Sequence, residues 1–346
     1  MSSVGRDTSS EQTAKSQNKI FLIYHDNYNV DLSAFGLRHQ FDMLKPKRIH
    51  DELLRQGTVE PDDFIAPSPL TGDELRLVHT DEYLAKLEDR QALAEILGLP
   101  QEYGPIPESL DLLNVFLLMS GGTLLGTKLA YSRGAPVFNL GGGYHHAQTA
   151  SGGGYCAIND VAIAIREARR TTDIQKCLII DLDYHQGNGN IEIFSRDEDV
   201  FTFSIHAHNW MTLGGKQNHR DVETNFKIKE QDYLQLVEEH LADIVPRFQP
   251  DFVFYLAGSD PHYADPLGNL GISDSGMLKR DLIVMEHTYE QGLPVLCLLA
   301  GGYGLKSWLI HHQFIREAAR RYGCCGRLPR SRSSIWQQLW QMLWGH

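Results

Sequence analysis

The feature that most constrains the fold is a series of short apolar runs, each followed by a helical pattern. Four of these runs end in polar or glycine-rich signatures, which read GGGYHH, DLDYH, GSD and GGYG. Strands that alternate with helices predict a single α/β domain, with a central, mostly parallel sheet and helices on both faces. Because ligands bind outside the carboxyl ends of such strands, we expect the four signatures to meet at one edge.

The pattern predicts where the main elements lie. Strands are expected at Lys19–Tyr24, Pro136–Leu140, Leu178–Ile180, Val200–Ile205, Phe252–Ala257 and Val295–Ala300. Helices are expected at Phe41–Gln56, Glu82–Arg90, Ser109–Leu129, Asp160–Arg169, Glu230–Phe248 and Asp274–Gln291, with a last helix ending near Tyr322. The His-, Asn- and Gly-rich segment His206–His219 is expected to be irregular.

Composition narrows the functional classes. The 346 residues include 44 acidic and 32 basic side chains, for a formal charge of −12. That balance argues against a nucleic-acid binder, which needs a basic surface, but it is compatible with a basic peptide substrate. The five cysteines are odd in number and irregularly spaced, so they predict a reducing cytoplasm rather than a disulfide framework. No run approaches the roughly 20 apolar residues of a membrane span.

The two ends of the chain differ from the middle. Residues 1–18 are rich in Ser, Thr and Gln and are expected to form a disordered tail, so the catalytic domain is expected at 19–322. Residues 323–346 place arginines before Trp336, Trp340 and Trp344, on one face of an expected helix. Such a helix either docks on its own domain, which we favour, or contacts a membrane surface.

A metal site is predicted at two of the strand ends. Asp183 and His185 follow the strand of the DLDYH signature, and Asp260 follows the strand of the GSD signature. Carboxylate and imidazole groups suit a divalent metal, and a catalytic zinc site keeps three protein ligands and an open position. Asp265 is a competing ligand on the same loop, although its place beside Pro266 is typical of a turn.

The other two signatures predict acid–base and oxyanion groups. His145 and His146 follow three glycines and can act as general base and general acid, with Asp181 as the partner of one. Tyr303, in the GGYG turn, can donate a hydrogen bond to a developing oxyanion. Gly154–Tyr155 is expected to form the wall of a substrate channel, where a flat ring packs on a linear chain.

Taken together, the motifs GGGYHHA, GGGYCAIND, DLDYHQGNG, AGSDPHYADPLG and LAGGYG resemble those of the zinc-dependent histone deacetylases, which share the arginase-like fold. The resemblance runs from about Lys19 to Tyr322. It implies hydrolysis of an acyl group, acetyl or longer, from the ε-amine of lysine or from a similar amide. A metal-activated water, a histidine pair and a tyrosine would carry the reaction.

The resemblance also assigns residues. It implies zinc ligands at Asp183, His185 and Asp260, a histidine dyad at His145 and His146, and a transition-state tyrosine at Tyr303. Tyr155 matches the family's channel phenylalanine. A monovalent cation, expected to be K⁺, would lie under the zinc loop, at Asp181, Asp183, His185, Ser204 and Ile205.

Within the family the chain looks most like class IV. The features are HQFD at 39–42, HTDEY at 79–83, SGGT at 120–123 and Asn188, where class I enzymes carry an Asp. His146 would then have an amide partner. Three alternatives stay open: a hydrolase of acylpolyamines or other small amides, a catalytically inactive acyl-lysine binder and, less favoured, a di-metal hydrolase of the arginase type. Iron(II) is an alternative to zinc.

Overall fold

The structure is a computed structural model that describes residues 20–211, 218–224 and 226–323. The strands are β1 (Phe21–Ile23), β2 (Phe64–Ile65), β3 (Val137–Asn139), β4 (Cys177–Asp181), β5 (Val200–His206), β6 (His219–Glu223), β7 (Phe252–Leu256) and β8 (Val295–Leu298). The α-helices are α1 (Lys45–Arg55), α2 (Gly72–Leu75), α3 (Asp81–Leu87), α4 (Arg90–Ile96), α5 (Leu112–Arg133), α6 (Asp160–Thr171), α7 (Asn188–Ile193), α8 (Glu230–Phe248), α9 (Asp274–His287) and α10 (Ser307–Tyr322).

All eight strands join one parallel sheet in the order β2-β1-β3-β8-β7-β4-β5-β6. Its central strands are mostly apolar because helices cover both sides of a parallel sheet. Every residue of β4 and β7 is buried, including Asp181 at the end of β4. The single-domain, parallel α/β fold predicted from the sequence is confirmed.

Helices pack in two groups against this sheet. In the first, α5 lies on β3 and β8 and packs against α6. In the second, α9 packs against α8 and α10, and α10 also packs against α1. The strand order places the ends of β3, β8, β7 and β4 side by side, so the four signatures share one edge.

Two predicted helices have different bounds. The helix predicted from Phe41 begins at Lys45, because Asp42 accepts a hydrogen bond from the Leu44 backbone and Pro46 sits in the first turn. The helix predicted at Glu82–Arg90 is two helices, α3 and α4. Asp89 separates them by accepting hydrogen bonds from two backbone N–H groups of the next turn, so it caps α4.

Other elements were missed or shortened. Strand β6 begins inside the segment predicted to be irregular, because its polar sequence HRDVE has no apolar run and it lies at the sheet edge. Helix α7 directly follows the DLDYH signature and was not predicted. The helix predicted to reach Gln291 ends at His287, and a 3₁₀ turn, Tyr289–Gln291, follows it.

The sequence analysis expected no apolar run close to the length of a membrane span, and helix α5 corrects that expectation. Its mean hydropathy of 1.4 over an 18-residue window makes it long and apolar enough to cross a membrane. However, 67% of that window is buried inside the domain, which is typical of a core helix.

The three described cysteines, Cys156, Cys177 and Cys297, are buried free thiols. The tails predicted at 1–18 and 323–346 lie outside the described residues, except for Gly323.

Candidate active site

Two carboxylates and one imidazole converge at the ends of β4 and β7. One ligand atom from each of Asp183, His185 and Asp260 lies within 4.8 Å of the others. Nδ1 of His185 is 3.1 Å from Oδ1 of Asp183 and 3.0 Å from Oδ2 of Asp260. Asp265, the competing candidate, is not part of this group, so the preference for Asp260 agrees with the geometry.

The electrostatics of these three residues favour a cation between them. Burial alone would lower the pKa of His185, but hydrogen bonds to Asp183 and Asp260 outweigh it and raise that pKa to about 10. Burial and the neighbouring Asp183 carboxylate raise the pKa of Asp260 to about 7. A divalent metal would displace the proton that the imidazole otherwise holds, and metal binding is coupled to proton release in this way.

The surrounding backbone leaves room for these ligands. A Cβ atom added at Gly258 or Gly301 would collide with the Asp183 carboxylate, so both glycines allow a close approach to the site. The Gly301 N–H also donates to Oδ2 of Asp183 at 2.8 Å. With a mixed oxygen and nitrogen donor set and buried carboxylates, the residues present fit a catalytic divalent metal ion such as zinc.

A buried guanidinium ties together the strand ends that carry the ligands. Arg280, on α9, is fully buried and donates to the backbone oxygens of Leu182 at 3.1 Å, Gly258 at 2.7 Å and Ala257 at 3.2 Å. Its charge is paired with the Asp281 carboxylate at 2.7 Å. The register of the Asp183 and Asp260 loops therefore depends on one buried side chain.

The two predicted histidines lie beside this group, and their Nε2 atoms are 3.1 Å apart. Nδ1 of His145 is 2.7 Å from Oδ2 of Asp181, and Nδ1 of His146 is 2.7 Å from Oδ1 of Asn188. Since an amide oxygen can only accept, Nδ1 of His146 carries the proton and the lone pair of its Nε2 faces Nε2 of His145. The predicted partners of both histidines are present.

Their different partners give the two histidines different charges. Burial opposes protonation of His145, but the charges of Asp181 and Asp183 raise its pKa to about 9. Burial and the charge of His145 hold the pKa of His146 well below its usual value. The pair therefore contains one imidazolium, at His145, and one neutral imidazole, at His146.

A buried carboxylate fixes the loop that carries the two histidines. Asp160, at the start of α6, is buried and accepts hydrogen bonds from the backbone N–H groups of Gly143 at 2.9 Å and Tyr144 at 2.8 Å. The Thr123 hydroxyl donates to the same carboxylate at 2.5 Å. These contacts fix the backbone directly before His145.

Tyr303 reaches the site from the loop after β8. Its ring centroid lies 6.1 Å from that of His185 and 5.5 Å from that of Tyr155. Burial and the charges of Asp183 and Asp260 hold the pKa of its phenol well above the usual value, so the hydroxyl keeps its proton and can donate it.

The predicted channel residues occupy a tight turn. Gly153 and Cys156 exchange two backbone hydrogen bonds, and the residues between them, Gly154 and Tyr155, both have positive φ, at 55° and 67°. This conformation costs energy for a tyrosine. It places the Tyr155 ring against Tyr303 and 4.4 Å from the centroid of His39.

A second aromatic ring covers the other side of the site, and the sequence analysis missed it. Trp210 stacks on His146 with a centroid distance of 4.6 Å, and its centroid is 5.6 Å from that of His185. It is 54% exposed, so it lies at the mouth of the site. Gln186 holds it there, accepting from the Trp210 backbone N–H at 2.7 Å.

An apolar cavity extends from the site into the domain. Its walls include His145, Tyr155, Gly301 and Tyr303. Beyond these residues the lining is mainly apolar: Leu32, Met43, Leu97, Leu99, Leu112 and Phe116. An apolar substrate group can occupy this space next to the histidines.

The residues predicted for a monovalent cation lie together. Asp181 and Ser204 are cross-strand neighbours in β4 and β5, and Ile205 follows Ser204. The Ser204 hydroxyl and Nδ1 of His206 are 2.7 Å apart. The carboxylate of Asp181 faces His145 instead. Potassium at this position stays a prediction.

The fold and these residues define a parallel α/β protein whose site combines a candidate metal-ligand triad, a histidine pair and a tyrosine. A family model described as "Histone deacetylase domain" matches residues 39–310 of this chain. The chain belongs to the histone deacetylase family.

Individual relatives match most of this chain and most of their own length. An uncharacterized protein of Picosynechococcus is 32% identical over 86% of this chain and 98% of its own length. Histone deacetylase 2 of Arabidopsis thaliana is 32% identical over 88% of this chain and 79% of its own. The acetoin utilization protein AcuC of Staphylococcus xylosus is 28% identical over 78% and 75%.

Among solved structures, the crystal structure of the HDA15 HD domain superposes with a TM-score of 0.71. The alignment covers 88% of this chain and 92% of the other, at 23% identity. At that identity the similarity supports the fold.

Proposed function

We propose that this chain removes an acyl group from the ε-amine of lysine by metal-dependent hydrolysis. One observation carries the proposal: the Asp183–His185–Asp260 group lies beside a histidine pair of unequal charge and beside Tyr303, at the mouth of an apolar cavity. An amide hydrolase needs a site for its carbonyl oxygen, a base for water and an acid for the leaving amine. These groups supply all three.

The shape of the site suits a linear side chain with an acyl end. Tyr155 packs against Tyr303, and Trp210 stacks on His146. The rings of Tyr155 and Trp210 therefore flank the approach to the metal-ligand group. The methylene stem of an acyl-lysine can pack between such flat rings. Its acyl group would then enter the cavity lined by His145 and Tyr303.

The proton transfers fall to the histidine pair. His146 is neutral with its lone pair at Nε2, so it fits the base that takes a proton from the attacking water. The imidazolium of His145, paired with Asp181, stabilises the negative charge that develops during attack. The proton held at Nε2 of His146 then passes to the leaving amine.

Tyr303 supplies the oxyanion contact. Its phenol stays protonated and donates a hydrogen bond to the carbonyl oxygen as that oxygen gains charge. A divalent metal held by Asp183, His185 and Asp260 would supply Lewis-acid chemistry, polarising the carbonyl and acidifying water. We infer that this metal is zinc, because the donor set is that of a catalytic zinc site.

We further infer that the acyl group can be longer than acetyl, because the lining beyond His145 and Tyr303 is mainly apolar and suits a hydrocarbon chain. Asn188 and the HQFD, HTDEY and SGGT motifs support placement in class IV. The cysteine pattern supports a cytoplasmic location, and potassium beside Asp181 and Ser204 is part of the same proposal.

A small acylated amine is the second candidate substrate. The similarity to AcuC, whose name concerns acetoin utilization, is a reason to consider a small-molecule substrate. The formal charge of −12 would also favour a cationic polyamine over a neutral amide.

Turnover on a lysine peptide acylated with acetyl, octanoyl or myristoyl groups tests the proposal, with an acetylated polyamine assayed in parallel. We expect chelator-sensitive release that favours the longer chains, and no release by the Asp183→Asn variant. Fast acetyl release alone would reject the long-chain inference. Release from the polyamine alone would replace acyl-lysine by a small amine as the substrate.

A further inference from the structure

The carboxylate of Asp265 joins two loops of the site. Oδ2 accepts hydrogen bonds from the backbone N–H groups of Tyr303 at 2.7 Å and Gly304 at 3.0 Å. Oδ1 accepts from the backbone of Leu267 at 3.0 Å and Gly268 at 2.9 Å. Four backbone donors therefore converge on one side chain that is only 6% exposed.

The first pair of bonds reaches the loop of Tyr303, and the second pair fixes the loop that follows Asp260. On that second loop, Asn269 N donates to the Asp260 backbone oxygen at 2.7 Å. A Cβ atom at Gly268 would also collide with the same oxygen. The position of the Asp265 carboxylate is thus set relative to the metal-ligand group.

The loop is held on each side of Tyr303, by Gly301 N–H to Asp183 and by Ser307 N–H to the Gly304 oxygen, but the backbone of Tyr303 itself depends on Asp265. Tyr303 lies between Gly302 and Gly304, and glycine neighbours give a chain more conformational freedom than any other residue. Within the described ranges, Asp265 is the only partner found for the Tyr303 backbone N–H. Without this carboxylate, Tyr303 and Gly304 would lose their backbone hydrogen bonds to the Asp260 loop, and the only backbone bond still joining the two loops in the described part of the chain would be that from Ser259 N to the Gly301 oxygen, at 3.0 Å.

We propose that Asp265 is a positioning residue that holds Tyr303 at the distance and angle needed to donate to the substrate oxygen. It acts through the backbone on each side of the tyrosine and touches no substrate atom. This inference rests on the proposed role of Tyr303. A misplacement of about 1 Å at a reacting group can cost on the order of 100-fold in rate.

A double-mutant cycle tests the proposal. Asp265→Ala should lower kcat about 10- to 100-fold in the native background. In a Tyr303→Phe background, where no phenol remains to be positioned, the same change should lower kcat less than about threefold, since residues acting through one group are not additive. Equal effects in both backgrounds would overturn it.

Two further variants separate positioning from general damage. Asp274→Ala removes the ion pair with Lys306 at 3.3 Å and the contact with Nε2 of His262 at 3.3 Å, in the same part of the molecule but without touching Tyr303. We expect it to retain native kcat. Asp265→Asn keeps one acceptor oxygen and should restore part of the rate lost in Asp265→Ala; no restoration by the amide would count against a hydrogen-bonding role.

Hydrogen–deuterium exchange keeps this inference separate from the proposed function. In Asp265→Ala, the peptide containing Tyr303 and Gly304 should exchange at least about tenfold faster, while that of β7 stays protected. Unchanged exchange at Tyr303 would reject the positioning role, whatever the activity. If the native protein hydrolyses no acyl amide, the proposed function fails, and this exchange still decides whether Asp265 holds the loop.

Discussion

Nδ1 of His146 lies 2.7 Å from the amide oxygen of Asn188, whereas Nδ1 of His145 lies 2.7 Å from the carboxylate of Asp181. The two distances are equal, but only the Asp181 partner carries a negative charge. The pKa of His145 is accordingly raised to about 9, while burial and the neighbouring imidazolium hold the pKa of His146 well below its usual value. The choice of amide or carboxylate therefore sets which histidine is the base.

Replacing the amide should move the pH profile. Asn188→Asp puts a negative charge beside Nδ1 of His146 and favours its protonated form, so the pKa of His146 rises by about one unit or more. A base must be deprotonated to act. The acidic limb of kcat against pH should therefore shift to higher pH by the same amount, measured on an acyl-lysine peptide.

Asn27→Asp adds the same charge at an exposed position and is the matched control. Its charge is screened by solvent, so its pH profile should coincide with that of the native protein. If Asn188→Asp also left the profile in place, His146 would not be the base.

Most of the fold follows from the sequence because long apolar runs and helical periodicity decide it. The runs at 177–181, 252–256 and 295–298 are strands at the centre of the sheet, as predicted. The misses lie where that signal is weak. Strand β6 is polar because it is an edge strand, and the boundary between α3 and α4 depends on one capping side chain, Asp89.

Many of the chemically active residues were also predictable, because their side chains follow strands whose ends meet at one edge. The supporting residues were not. Arg280 lies in the middle of a helix, and its carbonyl partners come from two other elements. Trp210 lies in a segment without periodicity. Asp265 looked like a turn residue, which it is, but its second oxygen serves a loop 38 positions away.

Loss of one metal ligand should remove metal binding and the stability that comes with it. Asp183→Asn leaves His185 and Asp260 as ligands, so we expect the bound metal per chain, measured by mass spectrometry, to fall below about one tenth. A metal at 100 times its Kd stabilises the folded state by about 2.7 kcal/mol. Chelator should therefore lower the Tm of the native protein but not that of the variant.

The control for this experiment is Asp197→Asn, which changes a carboxylate that pairs with Arg169 before β5. That position lies at the opposite edge of the sheet, so metal content and the response to chelator should be native. Full metal occupancy in Asp183→Asn would remove this residue from the ligand set.

Filling the apolar cavity should shorten the acyl groups that the enzyme accepts. Leu112 lines the cavity from the start of α5, and Leu112→Trp would place a larger ring in it. We expect kcat/KM for a myristoyl peptide to fall at least about tenfold relative to that for an acetyl peptide, since overpacking costs about 1–3 kcal/mol.

Leu118→Trp is the matched control, because Leu118 is buried on the same helix but does not line the cavity. It carries the general cost of overpacking, so it should lower kcat/KM equally for the acetyl and myristoyl peptides. An unchanged acetyl-to-myristoyl ratio in Leu112→Trp would mean that the acyl chain lies elsewhere.

The buried guanidinium of Arg280 should matter for both stability and metal affinity. Arg280→Met leaves the Asp281 carboxylate buried with only the Tyr255 hydroxyl at 2.5 Å, and it frees three backbone oxygens of the ligand loops. Breaking a buried pair in this way costs about 3–5 kcal/mol.

Urea unfolding of the metal-free protein should show that loss, and Co²⁺ titration should show weaker binding, because the Asp183 and Asp260 loops are no longer tied together. Arg169→Met, which breaks a partly exposed pair with Asp197, should cost about 1 kcal/mol or less and leave the Co²⁺ affinity unchanged. A native Co²⁺ affinity in Arg280→Met would limit this residue to stabilising the core.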